Sequence, residues 1–189
     1  MADAAVPSLR DRVITAAGQL FYADGYGVTI DAVAQQAGVA KPTVYAHFGS
    51  KESLIEATLV RGVEEFFADL ALEVTRHDGD PVAQLLAPFD LLAKGLPDPE
   101  YHGCICINAA ASFPRTDHPA HAVLLSLDAR MIEEFERLGR AAGARQPVLL
   151  ARQLLVLFDG VKARGLSDSS DQPARDARAA ARALLAAAS

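Results

Sequence analysis

Two groups of side chains in this 189-residue sequence are of types that do chemistry. The first is a run of donors and cations between Thr29 and Lys51: Thr29, Lys41, Thr43 beside Pro42, Tyr45, His47, Ser50 and Lys51. A hydroxyl at the start of a helix lies beside unpaired amides and the positive end of the helix dipole, where phosphate is favoured. Lys51 adds a full charge there and Tyr45 a phenolic donor. Lys41 can donate to guanine O6 or N7, and Thr43 can meet a thymine methyl or either base edge. The second group is His102, Cys104, Cys106, His118 and His121. Cys-x-Cys and His-x-x-His are not structural-zinc spacings and no matching Cys-x-x-Cys pair exists, so neither a metal nor a cofactor is expected. The thiols read as small core groups or, as a minority alternative, a redox sensor. Cys104 or Cys106 as nucleophile with His102 as base would make a helical enzyme, but no orienting motif accompanies them. No G-x-S-x-G, P-loop, H-E-x-x-H or dinucleotide fingerprint is present.

The elements that must hold these residues are helices. Ser8 with Asp11 forms an S-x-x-D start, and Leu9, Val13, Ala16, Ala17, Leu20 and Phe21 recur at helical spacing up to a stop at Gly25. Thr29 can cap a short second helix with Ile30, Val33, Ala34 and Ala37 on one face, ended by Gly38 in a left-handed C-cap. Pro42 suits the first turn of a third helix, whose Val44 and Phe48 face inward until Gly49. Tyr45 and Phe48 are both aromatics that ordinarily fill a core. Phe48 keeps that reading, whereas Tyr45 falls on another face and is available for contact. Ser50 caps a long fourth helix to about Arg76, and further helical patterns run from Pro81 to Gly95, Gly103 to Phe113, His118 to Gly143, Gln146 to Arg164 and Pro173 to Ala188. No strand pattern emerges. The expected fold is all-α with about nine helices.

Two short capped helices joined by a turn at Gly38 form a helix-turn-helix pattern, at about residues 29–48, whose second helix would enter the DNA major groove. Leu20-Phe21, Gly25-Tyr26, Thr29, Val33-Ala34, Ala37-Gly38-Val39, Lys41 to Phe48 and Ser50 to Leu54 together resemble the DNA-binding head of the TetR family of bacterial transcription regulators. That resemblance covers about the first third of the chain. It implies that Thr29, Tyr45, His47 and Lys51 hold phosphates and that Lys41, Pro42 and Thr43 lie nearest the bases. Asp31 departs from the pattern, because an acid there repels phosphate and argues against base contacts from the second helix. The resemblance further implies a homodimer on a palindromic double-stranded operator and a helical effector-binding and dimerisation domain. The expected division is 6–66 for the head and 67–189 for the larger module.

In the larger module, Gly103 to Phe113 followed by Asp117-His118-Pro119 resembles a segment of a subset of these regulators, without naming a ligand. Apolar helix faces nominate Phe89, Leu92, Cys106, Asn108, Phe113, Met131, Phe135 and Phe158 as lining an effector pocket, with ordinary core packing as the rival reading. Asn108 is the sharpest of these, since a buried amide needs partners. Leu150, Leu154, Leu157 and Val161, with Leu184 and Leu185 of the Ala-rich last helix, are the candidate dimer seam.

Charge sets the last bound. The chain carries a formal −6, which taken whole argues against nucleic acid. Residues 8–51 hold Arg10, Arg12, Lys41 and Lys51 against Asp11, Asp24 and Asp31, a net of +1, so with Asp3 contributing −1 the remaining −6 lies in residues 52–189. A slightly positive head on an acidic body fits DNA binding by few placed donors and two heads. It also leaves open a helical interaction module without DNA binding. No secretory leader is legible in Met1 to Pro7, and the apolar stretch Val148 to Val161 is broken by Arg152 and Asp159, so a cytoplasmic protein without a membrane span is expected.

Overall fold

Local chemistry sets the helix ends. In a computed structural model that describes residues 7–188, Ser8 caps α1 (Leu9–Asp24): its hydroxyl accepts the Asp11 amide at 3.1 Å and donates to the Asp11 carboxylate at 2.5 Å. That bond, helped by Arg61, holds the Asp11 carboxyl below the usual range. Thr29 caps α2 (Ile30–Ala37) by accepting the Ala32 amide at 3.2 Å. Gly38 ends α2 at φ 67°, a left-handed conformation where a side chain would be strained, and Val39 donates back to Ala34 at 3.0 Å. Pro42 lies in the first turn of α3 (Lys41–Phe48). Ser50 accepts the Ser53 amide at 3.0 Å and starts α4 (Lys51–Thr75).

The remaining helices are α5 (Pro81–Gly95), α6 (Ile105–Ser112), α7 (Pro119–Ala141), α8 (Pro147–Arg164) and α9 (Gln172–Ala188). That makes nine helices and no strand among the described residues, as the sequence predicts. None of them is long and apolar enough to cross a membrane. Met1 to Val6, where a leader was sought and where the expected head begins, and Ser189, the expected end of the larger module, lie outside the described residues.

The chain divides into two compact units. The first runs up to Gly62 and takes in Ile105–Val123; the second is Val63–Cys104 with the chain from Leu124 onward. In the first unit α1 packs on α2 and α2 on α3 around Val13, Ala17, Phe21, Val33, Val44, Leu54 and Leu59, all buried. The first unit also holds α6, a segment whose sequence alone assigned it to the larger module. Tyr26 is the reason: its hydroxyl donates to the Ile105 carbonyl at 2.9 Å and its ring lies 5.5 Å from Phe113 and 5.6 Å from Phe21. In the second unit α9 packs against α5 and α8 through Ala174, Ala177, Ala181 and Leu185, a stripe at helical spacing whose small side chains permit close approach.

Candidate nucleic-acid interface

The head brings the N-terminal ends of three helices together. Lys41 at the start of α3 donates to Asp31 in the first turn of α2 at 2.8 Å, which joins those two ends across the Gly38 turn. At the start of α4, Lys51 donates to the carbonyl of Tyr26 at 2.6 Å, three residues before Thr29. Helix N-termini carry unpaired amides and partial positive charge, so three of them in one small unit form a surface suited to phosphate.

The seven candidate contact residues differ in exposure. Thr29, Lys41, Pro42, Tyr45 and His47 are exposed, and Thr43 and Lys51 are half-buried. Tyr45 is 43% exposed while Val44 and Phe48 on either side of it are buried, so the two faces of α3 divide as their spacing predicts. Thr29 uses its oxygen to cap α2 and keeps a hydroxyl proton to donate. Two features were not legible in the sequence. Asp31, read as a group that repels phosphate, instead grips Lys41; that hydrogen bond and the charge behind it raise the Lys41 ammonium above its ordinary range. Tyr26 serves both sides of its residue, its hydroxyl tying down α6 and its carbonyl holding Lys51. The only signal for it was its place after Gly25.

Residues 13–58 match the model of the family described as bacterial regulatory proteins, tetR family. SCO4454, a TetR-family transcriptional regulator from Streptomyces coelicolor, is 27% identical with a TM-score of 0.84, over 95% of each chain. A solved structure described as a TetR transcriptional regulator, sav143 from Streptomyces avermitilis, is 30% identical with a TM-score of 0.82, over 96% of this chain and 98% of that one. The chain belongs to the TetR family. It is a transcriptional regulator with a helix-turn-helix DNA-binding domain. Escherichia coli NemR in its reduced form shares the fold, at 18% identity and a TM-score of 0.81 over 92% of this chain and 94% of that one. No curated protein sequence matches.

In this TetR-family chain the eight candidate pocket residues are divided between the two units. Phe89, Met131, Phe135 and Phe158 are fully buried in the second unit. The three phenylalanine rings lie 6.1 Å apart pairwise and Phe66 adds a fourth at 5.9 Å from Phe158. At these distances the rings pack against one another, as aromatic side chains of a core do. Leu92 is half-exposed in that unit. Cys106, Asn108 and Phe113 belong to the first unit, Cys106 buried and the other two half-buried. Beside the rings, Lys162 is almost wholly buried, 4.4 Å above Phe158 and 3.1 Å from Asp159. Burial and then Asp159 push the Asp128 carboxyl up, against the pull of Lys162.

The candidate seam residues differ in exposure. Leu150, Leu154, Val161 and Leu185 are buried within the chain's own core, and Leu157 and Leu184 are half-exposed. The apolar side chains that α8 offers to solvent are Val148, Leu149 and Val156, the last 73% exposed. α8 is apolar on two sides, and its own core takes one of them. A groove of about 410 Å³ between α8 and α9 is lined by Val156, Leu157, Gly160, Pro173, Ala177 and Ala180, among others.

The histidines have local work. His121 Nε2 donates to the Phe113 carbonyl at 2.7 Å, and His118 Nδ1 accepts the Ala120 amide at 3.2 Å while its ring stacks 3.8 Å from Phe113. His102 and Cys104 are half-exposed.

Proposed function

We propose that this regulator is a homodimeric repressor in the cytoplasm that leaves its operator when a small molecule binds the helical body, and that it is not an enzyme. The observation that carries the reading is the convergence of three helix N-termini bearing Thr29, Lys41, Thr43 and Lys51, with exposed Tyr45 and His47 further along α3. Thr29, Tyr45, His47 and Lys51 hold phosphates, which fix register, and Lys41, Pro42 and Thr43 lie against base edges, which specify sequence. Two heads related by two-fold symmetry then read half-sites about 34–36 Å apart or a multiple of that distance. Dimerisation through the outward side of α8, with Val148, Leu149 and Val156 and the groove beside α9, is supported by exposed apolar side chains that a monomer leaves in water.

The effector acts by population shift: it releases DNA only if it binds more tightly to the head spacing that does not fit the operator. Binding of the full-length protein to an operator fragment, measured by fluorescence anisotropy, tests the DNA reading. Tyr45→Phe and His47→Ala each weaken binding about tenfold or more, as expected for a lost phosphate contact in both heads, while Cys104→Ser and Cys106→Ser leave it unchanged. Unchanged binding in the first pair would refute the assignment. Loss of function in the cysteine variants alone would favour thiol chemistry.

A further inference from the structure

We propose that Arg10, at the start of α1, is a further phosphate-binding residue of the head; this rests on the DNA-binding reading above. Its guanidinium carbon lies 5.3 Å from the centre of the Phe48 ring, and the His47 ring is 6.3 Å from the same centre. Phe48 thus carries Arg10 over its ring, and its chain neighbour His47 is a candidate phosphate ligand. Stacking on an aromatic face fixes a guanidinium in orientation and leaves its in-plane N–H donors free, which suits a phosphate oxygen.

Three other cations of the head are engaged. Lys41 is held by Asp31, Lys51 by the Tyr26 carbonyl, and Arg61 by Asp11 at 3.5 Å. Arg10 is exposed and forms no ion pair among the described residues. Its neighbour Asp11 feels the Arg10 charge but is hydrogen-bonded to Ser8 and paired with Arg61, and Glu56, which lines the same groove between α1 and α4, stands beyond ion-pair distance. Arg12 is also exposed and, among the described residues, has no ion pair and stacks on no ring. The rival account is that Arg10 only complements the negative C-terminal end of α3. That role would alter stability and leave the salt dependence of DNA binding untouched.

The experiment uses the full-length protein and a fluorescein-labelled duplex of mixed sequence, since a phosphate contact is indifferent to sequence. Affinity is measured by anisotropy between 50 and 200 mM salt, where each phosphate contact contributes about 0.9 to the slope of log affinity against log salt. Arg10→Gln removes one contact per head, so with two heads the slope falls by about 1.8 and the loss of affinity across that range shrinks by about twelvefold. Arg10→Lys keeps the charge and most of the slope, and Arg12→Gln leaves the slope within about 0.5 of the parent. An unchanged slope in Arg10→Gln overturns the proposal, as does an equal fall in Arg12→Gln, which would mean a diffuse field in place of a placed contact. A parent protein that binds no duplex at any salt overturns the DNA-binding reading itself, and this proposal with it.

Discussion

Replacing Asp31 by Asn removes the carboxylate that holds Lys41 while keeping nearly the same shape at the start of α2. The pair is 2.8 Å long and both side chains stand in solvent, so the fold does not depend on it. The ion pair instead withholds a cation from the surface where phosphates would lie. The net charge of residues 8–51 rises from +1 to +2 when Asp31 is neutralised. Lys41 remains an ammonium in either protein, because Asp31 only raises a value that already lies far above neutrality. Without the Asp31 carboxylate, which repels phosphate, each head neutralises one more phosphate, which steepens the slope of log affinity against log salt by about 0.9, or about 1.8 for a dimer. Between 50 and 200 mM salt the variant's affinity should therefore fall about twelvefold more than the parent's. Its binding near 50 mM is tighter, on mixed-sequence duplex as well as on operator. The thermal midpoint, followed by circular dichroism at 222 nm, falls by no more than a few degrees. Weaker binding, or an unchanged slope, would refute the reasoning: Asp31 would then make its own contact, as a carboxylate accepting from a cytosine amino group does.

Phe158→Ala empties the middle of a cluster whose ring centres are about 6 Å apart, and a denaturant titration should show a loss of about 3–5 kcal/mol. Glu73 is 5% exposed; burial works against its charge, but Lys94 at 2.5 Å and Arg76 at 2.7 Å prevail and hold its carboxyl below the ordinary range. A carboxyl that is more acidic when folded contributes stability above its unfolded value and loses it as pH falls through the folded value. Melting midpoints of the parent should accordingly drop below about pH 4.3, and Glu73→Gln, less stable at pH 7 by about 1–2 kcal/mol, should drop less steeply. Val156→Glu places a charge on the outward side of α8 and should convert a dimer to monomer in light scattering, whereas Leu154→Ala, deep in the core, should lower stability by about 2–5 kcal/mol and keep the dimer.

What sequence alone revealed follows the range of the interactions involved. Ser8, Thr29, Gly38 and Pro42 act within four residues of themselves, so the ends of α1, α2 and α3 were readable from residue type and spacing. The head's outward donors followed from the division of α3 between Val44 and Phe48 on one side and Tyr45 on the other. The Asp31–Lys41 pair spans ten residues and depends on how the turn aims two helix starts, which no periodicity reports. The tie between Tyr26 and Ile105 spans 79 residues and brings α6 into the head's unit. For Phe89, Phe135 and Phe158, and for Leu150 and Leu154, apolar spacing identified what is buried without saying against what. Only packing separates a filled core from a pocket and an inner helix face from a seam.

Selection of bound fragments from fragmented genomic DNA by the purified full-length protein bears most directly on the account of a two-headed reader with a small, weakly positive head. The account predicts enrichment of palindromic fragments whose half-sites are centred about 10 base pairs, or a multiple of that, apart, lost when Tyr45 and His47 are both replaced by Ala. Recovery of fragments without a shared sequence at every salt concentration, or the same enriched palindrome with the doubly substituted protein, would contradict it.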